Sequence, residues 1–162
     1  MISPGVIEYK DVPVPTKLKP NEILLKIQRI GICGSDIHVF RGEHPATPYP
    51  VVQGHEYSAI VEAVGEAVTK ALPGMKATAR PQLVCGGCGP CKRGQYNACQ
   101  NLKVQGFQAP GVAQDYFIVP EDRLIILPDS LSMEQGAMVE PAAVGAHSTS
   151  RTTGLKGKNV VV

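Results

Sequence analysis

No basic cluster, no long apolar run and no internal repeat occurs in this 162-residue sequence, and each absence removes a class of function. With 16 Lys and Arg against 14 Asp and Glu the formal charge is +2. The densest basic spot, Lys92-Arg93, is far too small for a phosphate backbone, so nucleic acid is excluded as a partner. No apolar run approaches the ~18 residues that cross a bilayer, which excludes a membrane partner. The opening MISPGVIEYKD lacks both the charged start and the apolar stretch of a secretory signal, so the expected location is the cytoplasm. Long helices are excluded over most of the chain, because 17 Gly and 14 Pro interrupt it at short intervals. Disorder is excluded by a 43% hydrophobic and 19% charged composition, ordinary for one folded domain.

What is present reads mainly as β-structure. ILLKIQRI (23–30) and the stretch from Tyr57 to Val64 are rich in isoleucine and valine and read as strands. AQDYFIVP and RLIILP are two further short strands, divided by a polar turn around Pro120–Asp122. The last third changes character. Ser132 with Gln135 three residues on is a capping box for a short helix. Pro141 suits the first turn of a second helix running to about Arg151. The closing NVVV reads as a buried strand of the kind that opens a parallel βα unit.

Four cysteines, Cys85, Cys88, Cys91 and Cys99, crowd one glycine-rich loop. Spacings of two, two and seven residues, with glycine between, let the backbone wrap a tetrahedral zinc at thiolate distances of about 2.3 Å. Four thiolates leave no open position, so such a site is structural. An iron–sulfur cluster takes the same number of ligands, although the C-x3-C-P ending of ferredoxin-like runs is missing. Two disulfides need an oxidising compartment, and five cysteines leave one over.

The fifth cysteine, Cys33, lies in a glycine-flanked loop after the first strand, and His55-Glu56 follows Gly54 at the start of another. Cysteine, histidine and a carboxylate from different segments form a mixed zinc-ligand set. A buried apolar cysteine and a core histidine account for the same residues singly. Ser35 and His38 provide a hydroxyl and an imidazole, a pair able to pass a proton toward solvent. Alternatively, Ser35 and Asp36 only start a helical turn.

Together, Gly31-Ile-Cys33-Gly-Ser35-Asp-Ile-His38, Gly54-His55-Glu56 and the four-cysteine loop resemble the zinc-dependent medium-chain alcohol and polyol dehydrogenases. Glu140, where alcohol dehydrogenases place a second cysteine, makes the chain similar to the sorbitol dehydrogenase branch. The resemblance implies a chaperonin-10-like (GroES-like), partly open β-barrel over residues 1–131, with a protruding zinc lobe at 85–99. Connecting helices follow over 132–151, and 152–162 is the first strand of a Rossmann cofactor domain. It also implies a catalytic zinc held by Cys33, His55 and Glu56 or Glu140, a structural zinc on the four cysteines, and Ser35 and His38 as the proton relay. A glutamate at position 140 is also well placed simply to favour a helix N-terminus.

The implied activity is oxidation of a secondary alcohol, a polyol or sugar alcohol, to a ketone, with hydride passing to NAD or NADP. A threonine or butanediol-type dehydrogenase uses the same metal-site pattern, and a free-standing zinc-binding module of this fold is the non-catalytic alternative. The glycine-rich G-x-G-x-x-G turn that cradles a dinucleotide is missing. The chain is therefore expected to be the N-terminal catalytic domain of a longer, homo-oligomeric enzyme, and inactive by itself. The loop VFRGEHPATPYP is expected to border the substrate pocket, with Phe40, Tyr49 and Phe107 as its aromatic residues.

Overall fold

Segments rich in β-branched residues form the frame. In the computed structural model, which describes residues 1–159, β1 (Glu22–Ile30) leads into α1 (Gly34–Arg41) and then β2 (Tyr57–Val64). Next come β3 (Lys76–Ala79), β4 (Gln82–Leu83), the single turn α2 (Gly89–Lys92) and β5 (Lys103–Val104). The chain continues through β6 (Tyr116–Pro120), β7 (Leu124–Ile126), α3 (Met133–Ala137) and α4 (Val139–Ser150). The valine strand expected at the end lies outside the described residues.

Five strands form one antiparallel sheet in the order β6-β1-β2-β3-β7. Among the described residues the sheet does not close on itself, so the expected barrel is open, with β6 and β7 at its edges. Its core face carries Ile23, Leu25, Tyr57, Ala59, Val61, Ala77, Ala79 and Val119, all nearly or completely buried. Each large aliphatic side chain buried there contributes on the order of 1.5–3 kcal/mol. The opposite face of β2 carries Ser58, whose Oγ donates to Met133 O at 2.6 Å and holds α3 against the sheet. No helix among the described residues is long and apolar enough to cross a membrane.

Two features of this frame set the chemistry. The β1–β2 register pairs Ile30 with Tyr57, and Gly31 N donates to Glu56 O at 2.8 Å. The segment just after β1 is thereby laid beside the segment just before β2, which brings Cys33 to His55. Gly31 is required there by space. A Cβ on it would stand 2.4 Å from Glu56 Oε2 and 3.0 Å from Glu56 Cβ. Second, β4 and β5 form a two-stranded hairpin, Gln82 opposite Val104 and Leu83 opposite Lys103. The hairpin is the stalk of the cysteine loop.

The helical readings at the C-terminal end agree with the structure. Ser132 Oγ accepts from Gln135 N at 3.2 Å while Gln135 Oε1 accepts from Ser132 N at 2.9 Å, a completed capping box. Pro141 falls in the first turn of α4. The polar turn after β6 is a short 3-10 turn, Glu121–Arg123.

Candidate metal centres

The four-cysteine lobe is built almost entirely from turns. Lys92 N donates to Cys88 O, Gly94 N to Cys91 O and Leu102 N to Cys99 O, so the backbone coils around the thiols. One ligand atom from each of Cys85, Cys88, Cys91 and Cys99 lies within 4.8 Å of all the others. A tetrahedral zinc with bonds of about 2.3 Å needs sulfur atoms roughly 3.8 Å apart, within easy reach of this arrangement. All five cysteines are free thiols. Backbone N–H groups of Cys88 and Gly87 draw the Cys85 thiol down to about 6. The N–H of Gln100, with that of Cys91, lowers Cys88 as well. Burial pushes Cys91 up to about 12. A buried thiol beside two acidic ones fits a cation that displaces the remaining protons.

A second group is assembled from separate segments. Ligand atoms of Cys33, His55 and Glu56 lie within 4.8 Å of one another, with His55 and Glu56 buried and Cys33 partly so. Cys33 is the N-cap of α1, and its N–H donates to Asp36 Oδ2 at 3.0 Å. The other oxygen of Asp36 faces His55 Nδ1 at 3.8 Å. Neither Asp36 Oδ1 nor His55 Nδ1 has another partner, and both are buried. Gln53 Nε2 donates to Asp36 O at 3.0 Å, which fastens α1 to the stretch that carries His55.

Glu140, in the first turn of α4, stands beside this group rather than within it. Burial raises its carboxyl above the usual range; His55 opposes the shift and Glu56 adds to it. The carboxyl therefore shares an electrostatic environment with both residues. A cavity of about 290 Å³ opens next to it, lined by Thr78, Pro81, Ile125, Val139, Val144 and His147 among others.

Ser35 and His38 are one helical turn apart on α1, which puts them on the same side of the helix. No direct hydrogen bond joins them. His38 Nδ1 instead lies 3.0 Å from Glu43 Oε2, and the His38 side chain is 59% exposed, so the imidazole does reach solvent. Of the three aromatic residues expected at the pocket, Phe107 meets the site: its ring centroid is 5.0 Å from that of His55. Its ring also stacks on His44, with centroids 4.8 Å apart. Tyr49 packs in the same small apolar cluster and donates from its hydroxyl to Val39 O. Phe40 is 39% exposed.

Sequence reasoning missed two partners. Asp36 reads from sequence as a helix-start residue, and it is one; its second task at His55 depends on the β1–β2 register. Glu43 follows His38 by five residues across the end of α1, a spacing that carries no helical signal.

The alcohol dehydrogenase GroES-like domain family matches residues 19–129. A D-arabitol-phosphate dehydrogenase from Enterococcus avium is 39% identical over 155 residues, covering 95% of this chain and 44% of its own length. The crystal structure of 2R,3R-butanediol dehydrogenase from Bacillus subtilis superposes with a TM-score of 0.84 at 31% identity, covering 94% of this chain and 46% of that one. A structure described as a short chain alcohol dehydrogenase from Escherichia coli CFT073, complexed with NADH, gives a TM-score of 0.83 at 34% identity, with 93% and 43% covered. The chain thus spans a little under half the length of these relatives.

Proposed function

The chain belongs to the alcohol dehydrogenase GroES-like domain family, and from that premise we propose that it is the catalytic domain of a zinc-dependent, NAD(P)-linked dehydrogenase. The reaction is oxidation of a secondary alcohol, a polyol or sugar alcohol, to a ketone. The observation that carries this reading is the convergence of Cys33, His55 and Glu56, three different donor types from separate segments, within 4.8 Å. An arabitol-phosphate dehydrogenase among the relatives supports a polyhydroxylated substrate.

Cys33, His55 and Glu56 would hold the zinc, with Glu140 beside these three side chains, and the four cysteines of the lobe would hold a second, structural zinc. The donor sets fit: four thiolates close one site, while one thiolate, one imidazole and one carboxylate leave the other open. When bound in the open site, zinc supplies Lewis acidity toward an alcohol hydroxyl. A nicotinamide cofactor, held by the remainder of the enzyme, is the hydride acceptor.

The chain's own residues do the rest. Asp36 faces His55 Nδ1 and so leaves Nε2 as the ligating nitrogen, the carboxylate–histidine arrangement that fixes tautomer and ring plane. Phe107 covers one side of that imidazole and keeps water from it. Ser35 takes the hydroxyl proton toward His38, one helical turn further along α1. Glu43 accepts from His38 Nδ1, which leaves Nε2 to receive the proton, and the exposed ring hands it to solvent. Glu140, whose carboxyl burial raises above the usual range, stands where a second substrate hydroxyl can be bound.

A diol dehydrogenase of the butanediol type is the second reading, favoured by the 94% coverage of this chain in the superposition with that enzyme. Steady-state rates of the full-length enzyme with NAD or NADP over pentitols, hexitols and 2,3-butanediol decide between the two. Turnover of none of them contradicts both.

A further inference from the structure

Arg123 is the one buried guanidinium that the chemistry above does not use. It is 9% exposed, makes no ion pair among the described residues, and burial pushes it below its ordinary value. A buried charge without a counter-charge is expensive, so its hydrogen bonds indicate what it is kept for. Nε and Nη2 both donate to Arg80 O, at 3.0 and 2.6 Å. Nη2 also donates to Gln105 Oε1. Arg80 N returns a bond to Arg123 O at 3.0 Å, and Gln105 N donates to Pro81 O at 3.0 Å.

Arg80 and Gln105 are the two roots of the cysteine lobe. Arg80 lies two residues before β4, and Gln105 directly follows β5. One guanidinium therefore grips both legs of the lobe where they leave the sheet. From Gln105 the chain makes a tight turn in which Phe107 N, Gln108 N and Ala109 N all point to Val104 O. Within it Gly106 has φ +82° and sits so close to Gly54 that a Cβ would be 2.9 Å from Gly54 N. The turn delivers Phe107 to His55, the residue after Gly54, with ring centroids 5.0 Å apart.

We propose that Arg123 is a positioning residue for the open metal site: by clamping both roots of the cysteine lobe it fixes Phe107 against the imidazole of His55. The proposal rests on the dehydrogenase reading only for its effect on rate; the geometry it claims is independent of that reading. Without the clamp the lobe keeps its four thiols, but the turn at 104–109 loosens and the His55 ring loses its stop.

The test uses the full-length protein with ¹³C-labelled histidine. Arg123→Lys keeps the charge but loses the planar fork that holds Arg80 O through two nitrogens at once. Gln105→Leu removes the acceptor at similar volume, and because Gln105 Nε2 has no partner to lose it serves if the arginine variant does not fold. Phe107→Leu, which removes the ring current felt by His55, is the reference. The His55 ring-proton resonances are expected to move in Arg123→Lys and Gln105→Leu in the direction seen with Phe107→Leu. In the zinc-loaded enzyme kcat falls about tenfold, as for other groups that orient a ligating histidine, while KM changes by less than about twofold. Adding Arg123→Lys to Phe107→Leu then costs nothing further. Unmoved His55 resonances together with faster amide exchange in the lobe overturn the proposal, since Arg123 then holds only the lobe. Multiplying effects in the double variant overturn it too. A wild-type enzyme that oxidises no alcohol sinks the dehydrogenase reading instead, and the resonances still decide the role of Arg123.

Discussion

Asp36 and His55 face each other across the junction of β1 and β2: Oδ1 is 3.8 Å from Nδ1, and their side chains are only 10% and 8% exposed. The other oxygen of the same carboxylate holds the N–H of Cys33. One side chain thus sets the position of two of the three converging donors. Asp36→Ala is expected to weaken zinc at the open site about 10–100-fold, the usual cost of losing an orienting carboxylate. The lobe should keep its zinc. Competition with a chromogenic chelator resolves the two sites, and wild-type release from both contradicts the role given to Asp36.

Gly31→Ala tests the packing of the third donor. The new Cβ would stand 2.4 Å from Glu56 Oε2, so the carboxylate has to swing away from Cys33 and His55. The expected result is a protein with unchanged far-UV circular dichroism that loses zinc from the open site and retains it in the lobe. Full zinc content after extensive dialysis counts against Glu56 as a ligand.

The lobe thiols give metal uptake a defined pH dependence. Near neutral pH without metal, Cys85, drawn down to about 6, is a thiolate, and Cys91, held up to about 12, is protonated. Zinc binds thiolates, so its uptake expels the Cys91 proton, and acidification through about 6 weakens binding further by protonating Cys85. In the metal-free protein the sign is the same. The lowered Cys85 thiol adds stability that is complete above its unfolded pKa and fades as pH falls through about 6. Titration calorimetry in two buffers of different ionisation enthalpy is expected to show proton release; identical heats in both contradict it.

Ser58→Ala measures the attachment of α3 to the sheet. Ser58 is fully buried and its Oγ donates to Met133 O at 2.6 Å. Its loss leaves that carbonyl without this donor in a dry contact and is expected to lower stability by about 1–3 kcal/mol. The urea midpoint reports it, and an unchanged midpoint shows that α3 does not depend on this bond.

How much of this was legible in the sequence follows from how local each feature is. The lobe could be read outright, because its donors are neighbours along the chain and glycine spacing dictates the wrap. Strands at Glu22–Ile30 and Tyr57–Val64 follow from β-branched runs, and α3 from the Ser132–Gln135 box. Lys76–Ala79, KATA, has no strand pattern of its own and is extended only because β2 and β7 flank it. The residues of the open site could be named from sequence, but their convergence depends on the Ile30–Tyr57 register, which no local rule sets. Arg123 and Glu43 were illegible for the same reason: their partners, Arg80, Gln105 and His38, are met only once the chain has folded.

The most direct measurement is an anomalous difference map at the zinc edge from crystals of the full-length enzyme. The expected result is one peak within the four thiols of the lobe and a second between Cys33, His55 and Glu56, with the second lost in His55→Ala together with polyol oxidation. A single peak at the lobe in crystals of an enzyme that turns over polyols contradicts the zinc-dependent mechanism.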